Sequence, residues 1–264
     1  MGTEDGDEAY ISTGQLPAVE AVRRHLEAAH ERHRSVDDGE VADYIPALAA
    51  ASPHAFGASI AGVSGQTISI GDAAVPFSIQ SVSKPFVFAL VCDALGPDRA
   101  RDLLGTNATG LPFDSVMAVE LNASRTMNPL VNAGAIATTS LLPGATTEDK
   151  WAYVLDGLSR FAGRPLAMDQ AVYESESATN LRNRGIAHLL ESYGRITFDP
   201  DAATEVYTRQ CSVLVTAEDL ALMGATLANG GVNPRSGTRV IAQGLCRRVL
   251  AVMATAGLYE ESGE

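Results

Sequence analysis

One pattern near the start limits what this chain can fold into. Two runs of strand character, 56–63 and 66–71, are joined by Ser64-Gly65, a spacing that predicts a two-residue hairpin. Everything after it reads as helix. Pro76-Phe77-Ser78 leads into a long apolar helix over about 81–95, stopped by Gly96-Pro97. Helical spacing and breakers then predict helices over 98–104, 129–141, 147–162, 176–193 and 201–210. Thr216, at capping-box distance from Asp219, opens another that ends before Asn229-Gly230-Gly231, and a last helix covers 242–256. Upstream, Leu16, Val19, Val22, Leu26 and Ala29 recur at helical spacing, and 41–46 reads as extended or a single turn. A lone two-stranded hairpin is marginally stable in water, so this order demands more strands than it contains. The expectation is α+β, an antiparallel sheet flanked by helices plus an all-helical lobe over roughly 98–207, with C-terminal strands lying beyond Glu264. Residues 1–14 read as a flexible tail and 15–264 as one domain.

Length and charge narrow the function. The 264 residues, 46% hydrophobic, suffice for one substantial core. A formal net charge of -13 disfavours nucleic acid and anionic membrane surfaces, which both select clustered cations. No apolar run approaches the roughly 20 residues that span a bilayer. The acidic start lacks the positive n-region of a secretory signal, so the expected compartment is the cytoplasm. Cys92, Cys211 and Cys246 are odd in number and far apart, which argues against disulfides and a zinc site. His25, His30 and His33 share one charged stretch without supporting acids or thiols, so they read as a solvated helix face rather than a metal site. No metal and no organic cofactor is expected.

Of the 19 basic residues only Lys84 and Lys150 are lysines. An amine can lose its proton when buried and a guanidinium cannot, so a lysine in an arginine-rich chain invites a chemical reason. Lys150, in Thr146-Thr-Glu-Asp-Lys-Trp151, reads as a surface residue at a helix start. Lys84 stands in Gln80-Ser-Val-Ser-Lys-Pro85, where an extended segment meets the buried helix. Ser81 and Lys84, three apart, share a helix face. A neutral lysine amine there would activate the Ser81 hydroxyl as nucleophile, and the free backbone N–H of a first turn would face a tetrahedral oxyanion. The plainer reading of the same four residues is a serine cap beside a surface lysine.

Other polar residues in apolar or helical settings raise similar questions. Asn128 reads as a helix cap before Pro129, and Asn132 as an amide inside a small-residue helix that must find partners. Glu176 and Asn183 are seven apart and share a face if one helix carries both. Such a carboxylate and amide suit an amino-acid α-amino group, or else a solvated helix side. Tyr44, Tyr207 and Tyr259 each lie beside a break in structure.

Taken together, these segments resemble the serine-dependent glutaminase family, within the wider β-lactamase and penicillin-binding superfamily. The resemblance rests on ordered motifs: Ala-Asp-Tyr-Ile-Pro at 42–46, Phe-Ser-Ile-Gln-Ser-Val-Ser-Lys at 77–84, Asn-Pro-Leu-Val-Asn-Ala-Gly-Ala at 128–135, and Ser-Glu-Ser with Arg-Asn-Arg between 175 and 184. It continues through Tyr207, Cys211-Ser212, 226–231 and Gly257-Leu-Tyr259. It implies a β-lactamase-like fold and hydrolysis of L-glutamine to L-glutamate and ammonia. Ser81 falls on the nucleophile, Lys84 on the base and Tyr259 on a proton-relaying tyrosine. Tyr44, Ser81, Asn132, Glu176, Asn183, Tyr207 and Tyr259 fall on substrate-binding positions. Family members continue into a strand supplying a second oxyanion N–H, which would lie past Glu264. A homodimer or homotetramer is also implied. The alternatives are a penicillin-binding or β-lactamase-type serine hydrolase, which shares the Ser-x-x-Lys head, and an inactive glutamine- or glutamate-sensing domain.

Overall fold

The structure, a computed structural model, describes residues 17–262. The expected tail, with Gln15 and Leu16, lies outside the described residues. Helix α1 (Val19–His33) turns Val19, Val22 and Leu26 half inward, leaving its charged face to solvent. It lies against the hairpin, where His30 stacks on Phe56 with ring centroids 4.7 Å apart. His30 is therefore packed rather than solvated, while His25 and His33 are exposed. Among the described residues no cluster of three or more His, Cys, Asp or Glu could hold a metal. After the single turn α2 (Pro46–Ala49) come β1 (Gly57–Ala61) and β2 (Thr67–Gly71), antiparallel with Ala61 opposite Thr67.

The hairpin differs from its expected form. Gly62 N–H donates to Gln66 O, leaving three residues in the loop, with Gly65 at φ +84°. A three-residue loop ends on a left-handed residue, which glycine adopts without steric cost. The single sheet expected is also two. β3 (Phe77–Ser78) pairs with β4 (Leu214–Val215), apart from β1–β2. The hairpin is covered by packing instead of further strands, since α11 (Ala217–Ala228) lies along β1 and touches β2.

The core is helical. A 3₁₀ turn, Gln80–Ser83, feeds α3 (Lys84–Leu95), buried from Lys84 through Cys92. Then follow α4 (Pro97–Leu104), α5 (Val116–Leu121), α6 (Asn132–Ser140), α7 (Thr147–Ala162), α8 (Gln170–Thr179), α9 (Leu181–Ser192) and α10 (Pro200–Cys211). All nine residues of α6 are buried, and α10 packs against α6, α7 and α9. α12 (Gln243–Ala256) closes against α3. No described helix is long and apolar enough to cross a membrane.

Three expectations are corrected here. The helix expected from Pro129 begins at Asn132, because Asn128 Oδ1 accepts from Leu130 N and ties 128–130 into a turn. The helix expected over 176–193 breaks at Asn180, whose side chain donates to Thr208 Oγ1 and accepts from Arg184 Nε. Lys150 is not on the surface. It is 4% exposed and donates to the carbonyls of Ser140 and Leu142.

Candidate active site

The site forms where the sharp turn before α3 meets α6, α8, α9 and α10. Ser81 lies in the 3₁₀ turn and not, as expected, in the first α-helical turn. The change tightens the geometry, since side chains at i and i+3 of a 3₁₀ turn eclipse one another. Ser81 and Lys84 stand at that spacing, and Lys84 N–H donates to Ser81 O. The turn is entered through Gln80 at φ +48°, a left-handed conformation that non-glycine residues adopt only when their surroundings enforce it.

Lys84 is 2% exposed. Its Nζ donates to Asn132 Oδ1 at 2.8 Å and lies 5.3 to 5.9 Å from the ring centroids of Tyr259, Phe113 and Tyr207. Burial pulls its pKa down to about 8, partly opposed by Cys211 and the Glu176 carboxylate. Asn132, in the first turn of α6, accepts from Lys84 and from Tyr207 at 3.3 Å, and donates through Nδ2 to Asn183 Oδ1 at 3.0 Å. The buried amide thus finds its partners. Burial lifts the phenols of Tyr207 and Tyr259 above their ordinary pKa, and the Ser81 hydroxyl, as hydrogen-bond partner, lowers both. Tyr259 sits at φ +55° in a 3₁₀ turn just past α12.

Beside this network opens a cavity of about 470 Å³. Ser81, Asn132, Tyr207 and Tyr259 line it, joined by Glu176 from α8, Asn183 from α9 and Tyr44 from the segment before α2. Lys84 sits behind the wall, reaching it through Asn132. Glu176 and Asn183 face the same space although the break at Asn180 puts them on different helices, so the shared helix face expected for them is replaced by a shared cavity. Glu176 is 6% exposed and its Oε2 has no hydrogen-bond partner. Burial raises its pKa to about 7, with the Gln80 side chain and the Lys84 charge pulling the other way. A buried, half-unpaired carboxylate suits a cationic group of a ligand. A second hollow, of about 430 Å³ between α3, α4 and α12, is lined by Cys92, Arg101 and Arg248. It holds no carboxylate and no serine.

Sequence reading missed several lining residues. Cys211, one turn beyond Tyr207 on α10, was readable only as a thiol without a partner; it is fully enclosed and its pKa is raised by burial. Phe113 arrives from a loop without periodicity, and tilts against Tyr259 at 5.2 Å. Next to it Asp114 pairs with Arg182 Nε at 2.9 Å on the cavity rim.

The pieces form a cavity-lining serine one 3₁₀ turn before an enclosed amine whose pKa burial pulls to about 8, and a carboxylate with an unpaired oxygen on the same cavity. Residues 39–264 match the family model described as glutaminase. Over its whole length the chain is 51% identical to glutaminase 2 of Yersinia pestis, covering 78% of that protein. It is 48% identical to a glutaminase of Brucella canis over 93% of this chain and 77% of that one. Among solved structures it is similar to the probable glutaminase ybaS, with TM-score 0.91 and 40% identity over 94% of this chain and 80% of that one.

Proposed function

We propose how this chain, which belongs to the glutaminase family and hydrolyses L-glutamine to L-glutamate and ammonia, performs that reaction: Ser81 is the nucleophile and Lys84 its general base. The supporting observation is that Lys84 is enclosed yet bonded only to a neutral amide oxygen. A paired carboxylate would lock the proton on. With a pKa of about 8, roughly a tenth of the amine is uncharged at pH 7, enough for a base that is regenerated each cycle.

Ser81 Oγ attacks the side-chain amide carbon and its proton passes to Lys84 Nζ. The tetrahedral intermediate collapses as the amide nitrogen takes up a proton, relayed through the Tyr259 hydroxyl beside Ser81, and ammonia leaves. Water, deprotonated by Lys84, then attacks the acyl-Ser81 ester, and Lys84 passes that proton to Ser81 Oγ as glutamate leaves. Glu176 Oε2 receives the substrate α-ammonium, while Tyr44, Asn183 and Tyr207 orient its carboxylate and backbone. Asn132 serves both sides, holding Lys84 with its oxygen and Asn183 with its nitrogen.

Ser81→Ala is expected to abolish ammonia release while leaving the thermal midpoint and glutamine binding near those of the parent. Turnover by the folded variant would remove Ser81 from the nucleophile's role. The reading also places the enzyme in the reducing cytoplasm, where three unbridged cysteines are at home. It further takes the protein as a homodimer or homotetramer, which light scattering of the purified protein measures.

A further inference from the structure

The left-handed residue before Ser81 is held by a chain of side chains to which the reaction assigns no role. Ser83 Oγ donates to Gln80 O at 2.6 Å, and Gln210 Nε2, from α10, donates to Ser83 Oγ at 2.8 Å. On the other side, Ile79 N–H donates to Val213 O at 2.8 Å, just past α10. Gln80, at φ +48°, is thus clamped from both flanks by one helix and its exit.

Ser83 is wholly buried and Gln210 is 1% exposed. Gln210 Oε1 has no hydrogen-bond partner. A buried amide with one end unsatisfied costs stability, and leucine would fill the space without that cost. What the glutamine contributes is therefore sought in the geometry it holds. We propose that Gln210 and Ser83 are positioning residues for the hydrolysis: they enforce the strained backbone at Gln80, which sets the direction of the Ser81 hydroxyl and of its backbone N–H. This rests on Ser81 being the nucleophile. Misplacing an attacking oxygen by a fraction of an ångström lowers turnover without altering substrate affinity.

The experiment measures kcat, KM and thermal midpoint for Ser83→Ala, Gln210→Leu, their double variant, Gln80→Gly, and Ser83→Ala combined with Gln80→Gly. Ser83→Ala and Gln210→Leu are each expected to lose about tenfold in kcat with KM within about twofold, and their double to be no worse than its weaker parent. Gln210→Leu is expected to melt no lower than the parent protein, a result that a merely structural role would not give. Glycine adopts the left-handed conformation unaided, so adding Ser83→Ala to Gln80→Gly is expected to cost less than about twofold. The proposal is overturned if folded Ser83→Ala and Gln210→Leu turn over normally, if the loss appears in KM instead, or if Ser83→Ala costs as much with Gln80→Gly as without it. An inactive Ser81→Ala alongside a fully active Ser83→Ala would sink this inference alone. An active Ser81→Ala would sink the nucleophile assignment on which it rests.

Discussion

The two ends of α6 are attended by the chain's two lysines, and the amines meet opposite surroundings. At the C-terminal end Lys150 Nζ donates to the Ser140 and Leu142 carbonyls, with the Phe198 ring 4.6 Å away. Helix-end carbonyls carry partial negative charge, so the cap favours the ammonium form. At the N-terminal end Lys84 meets one neutral amide and three rings, beside the positive end of the helix dipole. Both amines are buried and both have lowered pKa values, through desolvation. What separates a structural lysine from a reactive one here is its acceptors together with the weight of its burial, which pulls Lys84 down to about 8.

The comparison breaks most sharply under arginine substitution. Lys84→Arg is expected to lose on the order of a thousandfold in kcat, because a guanidinium cannot give up its proton to serve as base. Lys150→Arg is expected to remain within a few-fold, read in the same ammonia-release assay. Comparable losses in both variants would show that the two ends of α6 are not functionally distinct.

The pH profile sharpens it next. With Lys84 at about 8, kcat/KM is expected to level above that point, to fall about tenfold per pH unit between about 8 and 7, and to fall more steeply below. KM is expected to climb as pH falls through about 7, where Glu176 takes up a proton and loses its grip on the ammonium. Lys150→Met is expected to leave both inflections in place. A profile flat between about pH 6 and 9 would contradict the uncharged base.

The smallest effects are on stability, and they have opposite signs. Lys150→Met leaves helix-end carbonyls unpaired and is expected to cost about 2 to 3 kcal/mol by chemical denaturation. Lys84→Met removes a buried charge and is expected to raise the midpoint at pH 7, up to a ceiling of about 3 kcal/mol reduced by the orphaned Asn132 oxygen. Because the folded pKa lies below the unfolded value, the unfolded chain holds more protons between about pH 8 and 10.5. Wild-type stability therefore rises with pH across that window, and the advantage of Lys84→Met shrinks there. A constant advantage from pH 7 to 10.5 would rule out the buried charge as its source.

What could be read before the structure was what is local. The Ser81–Lys84 spacing, the apolar run behind it and the Thr216–Asp219 box are encoded within a turn or two of chain, and the capping box forms as read. The turn at Asn128 that delays α6 is also local, but other departures were set by packing. Asn180 breaks a helix by reaching Thr208, and Lys150 is buried by carbonyls that belong to the end of the previous helix. Neither signal exists in a sequence window. The candidate site divides in the same way: Asn132 and Lys84 meet across 48 positions, so only the family likeness brought them together beforehand. Gln210 and Phe113 had no such guide, and Cys211 stood in the likeness as part of a motif without a role.

The packing of α6 has a consequence for how such an enzyme can change. A methyl placed on Gly134 would fall 1.8 Å from Asn128 O, and every residue of the helix is buried. The floor that carries Asn132 thus has no room to drift by small steps. Altered preference for neighbouring amides would have to be acquired at the margin, at Tyr44, Phe113 and the Asp114–Arg182 pair, where mutations meet water before they meet a neighbour.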